Sequence, residues 1–224
     1  MWAPAGLFTA GRTVLVAGGG QVVAFEEGRR RWSTTACGDG FTTAAGQYLC
    51  PAGGYDVATG SAVPSLPAGP FTALGCGVAR SGCEGFRDAS GQGWLATTGT
   101  PRRTPALDKP ETTVAAGLPL TVNGPTITST RWQWTDPSGG AVQVLGGAGD
   151  KIYLLTADRR LVTVNALTGT ATAFVLAVGT EATDWTPGGW QVTDSFVAVE
   201  RLDDPDPSSV HHYFTVESVV IAAT

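Results

Sequence analysis

A short hairpin unit recurs along this chain and constrains its fold more than any other feature of the sequence. The clearest copy spans residues 12–35, where three apolar segments are separated by two turns. Gly18-Gly19-Gly20 is the first of these turns, because consecutive glycines reach positive φ without steric cost. The segments are about five residues long and rich in valine and threonine, which is typical of β-strands. The unit therefore predicts short antiparallel strands joined by tight turns.

The copies can be aligned on one apolar residue that precedes a turn. These residues are Phe25, Tyr55, Phe86, Trp134, Val164 and Tyr213. In four copies a glycine follows five positions later, namely Gly60, Gly91, Gly139 and Gly169. A fixed offset between a strand residue and a glycine indicates a turn position that needs φ above zero. We expect Phe25, Tyr55, Phe86 and Val164 to be buried on the third strand of their units.

The composition agrees with many turns and few helices. The 224 residues include 31 glycines and 14 prolines, and 42% are hydrophobic while only 15% are charged. No apolar pattern with the period of a helix persists for three turns. We predict an all-β chain that forms a small β-propeller, as a single domain over residues 1–224. Residues 98–118 contain three prolines and resemble the repeat least, so we expect an irregular insertion there.

Three turn segments share a pattern in which an aspartate or asparagine precedes a glycine. They are YDVATG at 55–60, VNALTG at 164–169 and FRDASGQGW at 86–94. This pattern resembles the hairpin of the PQQ-like (quinoprotein dehydrogenase-like) β-propeller repeat family. The resemblance implies four-stranded antiparallel blades, with Trp32 and Trp94 packed between neighbouring blades. Six recognisable units favour six blades; seven are possible if a degenerate blade lies within residues 100–130.

The chain has four cysteines, Cys37, Cys50, Cys76 and Cys83. They lack the closely spaced pairs of ligands that are typical of a zinc site. Four cysteines allow three pairings, and we favour Cys37–Cys50 and Cys76–Cys83 because each pair brackets one apparent hairpin. Disulfides imply an oxidising compartment, whereas four buried, reduced cysteines would suit a cytosolic protein. The first residues lack the features of a signal peptide. We therefore expect an extracytoplasmic protein whose signal or membrane anchor lies outside this sequence.

Few residues point to catalysis or to metal binding. Quinone-dependent enzymes of the resembled superfamily hold calcium through clustered carboxylate and amide oxygens. Here asparagine occurs only at Asn123 and Asn165, and no such cluster is visible. The acidic run at 203–206 lacks EF-hand spacing, and His211 and His212 would point to opposite faces of a strand. We expect no catalytic residue, no metal and no cofactor.

Charge and fold class limit the possible partners. The net charge of −5 argues against nucleic-acid binding, and no apolar run reaches the ~20 residues of a membrane-spanning helix. We therefore predict a non-enzymatic, extracytoplasmic protein-binding or scaffold module of the bacterial cell envelope, with another envelope protein as partner. The alternatives are a ligand or glycan sensor ectodomain of a membrane-anchored receptor and an enzyme. Arginine far outnumbers lysine, which points to a GC-rich, actinobacterial genome.

Overall fold

Antiparallel β-sheets form almost all of the regular structure of this chain. The computed structural model describes residues 6–77, 80–175, 186–193, 195–203 and 215–222, and within them there is no α-helix. Six sheets follow one another along the chain, and consecutive strands pair within each. The predicted all-β propeller architecture with six antiparallel blades is confirmed.

Four of the sheets have four strands each. Sheet 1 contains β1 (Gly6–Ala10), β2 (Thr13–Gly18), β3 (Gln21–Glu26) and β4 (Arg29–Thr34). Sheet 3 contains β8 (Thr72–Leu74), β9 (Gly85–Arg87), β10 (Gly93–Leu95) and β11 (Arg102–Arg103). Sheet 4 contains β12 (Thr112–Ala115), β13 (Leu118–Asn123), β14 (Thr126–Thr128) and β15 (Gln133–Thr135). Sheet 5 contains β16 (Val142–Ala148), β17 (Lys151–Thr156), β18 (Arg160–Asn165) and β19 (Ala171–Val175).

The other two sheets have three strands within the described residues. Sheet 2 contains β5 (Phe41–Thr42), β6 (Gln47–Cys50) and β7 (Gly53–Asp56). A single bridge between Tyr55 and Ala62 marks the place of a fourth strand in this sheet. Sheet 6 contains β20 (Thr186–Val192), β21 (Phe196–Asp203) and β22 (Thr215–Ala222). One short 3-10 helix, η1 (Pro105–Leu107), lies between sheets 3 and 4.

Five buried clusters join the sheets, one between each two consecutive sheets from the first to the sixth. Each cluster contains residues of two consecutive sheets, for example Phe8 and Tyr48, Phe41 and Phe86, Leu74 and Val114, Ile127 and Ile152, and Tyr153 and Val197. Burial of one such side chain contributes about 1.5–3 kcal/mol. The sheets are therefore held together face to face, through apolar side chains that alternate along the strands.

The expected irregular insertion at residues 98–118 is wrong. This stretch contains β11, η1 and β12, and so it completes sheet 3 and begins sheet 4. Its prolines are compatible with this role, since Pro105 starts the 3-10 helix and Pro101 precedes a two-residue edge strand. Residues 100–130 belong to these two sheets and form no seventh one.

The alignment of the repeats is partly wrong. Phe25, Tyr55 and Val164 lie on third strands as expected, but Phe86 lies on a second strand and Trp134 on a fourth. Phe86 and Val164 are buried, whereas Phe25 and Tyr55 are only partly buried. The turn motif used for the alignment satisfies local backbone geometry at any turn, so it does not report which turn of a sheet it occupies.

The four turn glycines adopt the backbone conformation that the sequence predicts. Gly60, Gly91, Gly139 and Gly169 all have positive φ, between +74° and +80°, which confirms the conformation expected of them. The sixth aligned residue, Tyr213, lies outside the described residues.

Candidate binding site

Turns from all six sheets converge on one cavity of about 800 Å³, which we call the bowl. The first turn of a sheet is the connection between its first and second strands. The lining includes Gly11, Gly46, Glu84, Gly117, Gly149 and Thr193, one from the first turn of each sheet in order. First strands are neighbours on the inside of the ring, since β12 contacts β16 and β16 contacts β20. Sheets arranged in this way around a central cavity form a β-propeller.

The bowl is lined by small side chains and backbone, and its formal charge is negative. Asp56 and Glu84 are the ionisable side chains among the described lining residues, which include no lysine, arginine, histidine or aromatic residue. Arg12 stands in the first turn of sheet 1, but it pairs with Glu27. The interior of the bowl therefore presents carboxylates, hydroxyls and peptide groups.

The first connection of sheet 3 is long and enters the middle of the ring. It joins β8 to β9 through residues 75–84, of which 75–77 and 80–84 are described. On one side, Cys83 N–H donates to the Thr42 carbonyl of sheet 2 at 2.8 Å. On the other side, a Cβ on Gly77 would come within 1.8 Å of the Trp190 carbonyl of sheet 6. The connection therefore bridges sheets 2, 3 and 6 and forms part of the wall of the bowl.

Disulfides close two short loops in the structure. Cys76 is bonded to Cys83 with a Cα–Cα distance of 4.5 Å, and Cys37 to Cys50 with a distance of 5.7 Å. These are the two pairs that the sequence favours. The first staples the connection in the ring centre, and the second joins the chain before β5 to the end of β6. Loops this short are expected to contribute about 2–3 kcal/mol each by restricting the unfolded chain.

Glu84 ties the connection of sheet 3 to sheet 4. Its carboxylate accepts hydrogen bonds from Ala116 N–H at 3.0 Å and from Gly117 N–H at 2.6 Å. Both residues have positive φ, so that this turn directs two consecutive N–H groups at one anion. Burial raises the pKa of Glu84 above its usual value, against the hydrogen bonds from Gly117, Ala116 and Gly147, which lower it.

The third turns of sheets 2 and 5 share one hydrogen-bond pattern. Asp56 Oδ1 accepts from the N–H and the hydroxyl of Thr59, each at 2.8 Å. Asn165 Oδ1 accepts from the backbone N–H groups two and three residues later, each at 3.0 Å. The turns end at Gly60 and Gly169, both with φ of +74°. Asp56 thus lines the bowl from a turn that its own side chain stabilises.

A tryptophan of the preceding sheet packs on each of these two turns. Trp32 Nε1 donates to the Val57 carbonyl at 2.8 Å, and Trp132 Nε1 donates to the Ala166 carbonyl at 2.8 Å. A Cβ on the turn glycine would come within 2.6 Å of the first indole and 2.8 Å of the second. The prediction that Trp32 packs between neighbouring blades is confirmed.

Trp94 differs from Trp32: its ring packs at the edge of the cluster between sheets 2 and 3, but its hydrogen bond lies within its own sheet. The sequence does not predict the role of Trp132. Trp94 Nε1 donates to Asp88 Oδ2 at 2.9 Å, and its ring stacks on Phe86, all within sheet 3. The motif of residues 86–94 forms the second turn of its sheet, which lies at the opposite end from the first and third turns. Trp32 and Trp132 precede their glycines by different intervals, so no fixed spacing identifies the second pair.

Other candidates from the sequence provide no site in the described part of the chain. Asp204, Asp206, His211 and His212 lie outside it. Within it, no group of three or more His, Cys, Asp or Glu side chains could hold a metal ion. The same residues include no helix of the length and apolar character needed to cross a membrane.

Comparisons with known proteins give only distant likenesses. No family model matches the chain, and no curated protein does. Among solved structures, BamB from Moraxella catarrhalis superposes with a TM-score of 0.42 at 14% identity, over 89% of this chain and 68% of BamB. The computationally designed Ika8 protein superposes with a TM-score of 0.45 at 14% identity, over 97% of this chain and 70% of Ika8. At these TM-scores the fold assignment stands on the sheet geometry of this chain.

Proposed function

We propose that this chain is a non-enzymatic, extracytoplasmic β-propeller that binds another protein of the bacterial cell envelope on the face where the bowl opens. The observation that carries the proposal is the bowl itself, into which turns of all six sheets project. Loops held by a rigid scaffold are the usual site of recognition. The two carboxylates of the bowl already accept backbone hydrogen bonds, which suits a binding surface better than acid–base chemistry.

The two disulfides support the extracytoplasmic part of the proposal. Disulfides persist in oxidising compartments and are rare in the cytosol. The Cys76–Cys83 bridge lies in the connection that forms part of the bowl. The compartment and the recognition surface are therefore linked, because a reducing environment would loosen the wall of the bowl.

A sensor of small ligands is the second candidate, and the size of the bowl favours it. Ligand pockets in proteins commonly span about 300–1,000 Å³, and the bowl has about 800 Å³. Glycans are usually bound by stacking on aromatic rings, and the described lining has none. The sensor hypothesis is therefore limited to polar, non-stacking ligands.

Site-specific photo-crosslinking in the native host tests the proposal. A photoreactive amino acid at Ala44, an exposed residue of the bowl, should give one discrete adduct with an envelope protein. Ala89 is the matched control, since it is an exposed alanine in the second turn of sheet 3, at the other end of the strands. The absence of an adduct from Ala44, equal labelling from both positions, or adducts with cytosolic proteins alone would contradict the proposed function.

A further inference from the structure

We propose that the bowl receives a basic side chain, a lysine or an arginine, carried at the tip of a loop of the partner protein; this inference rests on the proposed function. The described lining residues carry two carboxylates and no cationic side chain. None of the ion pairs in the described part of the chain includes Glu84 or Asp56. A basic side chain of the partner would supply the positive charge that pairs with these two carboxylates.

The carboxylates have hydrogen-bonding capacity left for such a guest. An ionised carboxylate has about four acceptor positions. Glu84 accepts hydrogen bonds from the N–H groups of Ala116, Gly117 and Gly147, and it lines the bowl while only partly buried. Asp56 directs Oδ1 at its own turn. Each can therefore accept at least one further hydrogen bond from an ammonium or a guanidinium group without giving up its structural ones.

The lining disfavours the other common classes of ligand. Anionic groups such as phosphates need Lys, Arg or a set of convergent N–H groups, and here the N–H groups of Ala116 and Gly117 are already bound to Glu84. A metal ion would need a larger set of ligands than the described residues bring together. The charge of the bowl and its small side chains are thus complementary to a long, thin, cationic side chain.

The size of the bowl favours a side chain that arrives on a protein loop. A volume of about 800 Å³ exceeds what one lysine or arginine fills. Apart from the long connection of sheet 3, the first turns around the opening are short, and several lining positions are glycine or alanine. The backbone of an incoming loop could therefore approach the rim closely while its basic side chain reaches Glu84.

Titration by NMR with small probes tests the charge preference. The probes are a capped glycine pentapeptide with arginine at its centre, the same peptide with glutamate, and spermidine. The arginine peptide should shift the amide signals of Ala116 and Gly117, and the glutamate peptide should not. Gln191→Lys adds a cation inside the bowl, on an exposed residue of β20. It should weaken binding roughly fivefold, the effect of one unit charge at ~8 Å with an effective dielectric constant of about 40, between the values for a protein surface and for water.

Gln143→Lys is the matched control, because Gln143 is an exposed residue of β16, another first strand, and does not line the bowl. It should leave binding unchanged. Equal binding of the arginine and glutamate peptides, or equal effects of the two lysine substitutions, would overturn the inference. The inference would also be overturned if spermidine bound more tightly than the arginine peptide and no adduct formed in cells. The ligand would then be a free amine.

Crosslinking in cells separates the failure of this inference from that of the proposed function. The adduct from Ala44 should become weaker in the Gln191→Lys background and persist in the Gln143→Lys background. If it persists equally in both, the partner is bound without a basic side chain in the bowl, and only the present inference fails. If it is absent from the wild-type protein, the proposed function fails.

Discussion

Gly60→Ala tests the packing of tryptophan on the third turn of the next sheet. An L-residue in the left-handed region costs roughly 1–2 kcal/mol, and Gly60 has φ of +74°. The new Cβ would also lie 2.6 Å from Cγ of Trp32, well inside van der Waals contact. Displacement of the indole would add about 1–3 kcal/mol of overpacking and weaken its hydrogen bond to the Val57 carbonyl. We expect a loss of about 3 kcal/mol in the free energy of unfolding.

Gly91→Ala separates the two contributions, because Gly91 has φ of +80° and nothing within 4 Å of its would-be Cβ. It should cost only about 1–2 kcal/mol, the backbone part. Urea unfolding followed by tryptophan fluorescence measures both free energies. In a Trp32→Ala background the extra cost of Gly60→Ala should disappear. Equal destabilisation by Gly60→Ala and Gly91→Ala would refute the proposed packing.

The remaining predictions concern the core, the second tryptophan and alkaline stability. Tyr48→Phe should stabilise the fold by about 1 kcal/mol, because the Tyr48 hydroxyl is buried without a hydrogen-bond partner among the described residues; a destabilised variant in thermal unfolding would contradict this. Burial, and to a lesser extent Asp39, raises the pKa of Tyr48. The stabilisation that comes from keeping the Tyr48 hydroxyl protonated is therefore complete below about pH 10, and it is lost above that pH by up to ~1.4 kcal/mol per pH unit. The free energy of unfolding should therefore fall less steeply across this range in Tyr48→Phe than in the wild-type protein. Trp132→Ala should cost about 2–3 kcal/mol by removing a contact between sheets 4 and 5, less than for a fully buried tryptophan because Trp132 is partly buried. Unchanged unfolding would show that this contact is not formed.

The sequence allows the fold class and the turn geometry to be predicted, because both depend on local chemistry. The glycines at 60, 91, 139 and 169 adopt positive φ whatever turn they occupy. The order of strands within a sheet depends on pairing between segments, which no single turn reports. For this reason the strand predicted for Phe86 is wrong, and the prolines at 101 and 105 suggest an insertion where two sheets meet.

The bowl could not be predicted from the sequence. Glu84 lies next to a cysteine in a segment without helical or strand periodicity, and its partners Ala116 and Gly117 belong to another sheet. Asp56 was recognised only as part of a turn motif. These carboxylates meet in one cavity because turns of all six sheets converge there, and this convergence depends on how the sheets pack against one another.

The oxidation state of the cysteines in the living host tests the central claim most directly. Cells are treated with an alkylating reagent before lysis and without reductant, and the protein is then analysed by intact mass and by peptide mapping. An extracytoplasmic propeller should show no alkylated cysteine and two internal bridges, Cys37–Cys50 and Cys76–Cys83. Four alkylated thiols would contradict the oxidising compartment, and with it the proposed location of this protein in the cell envelope.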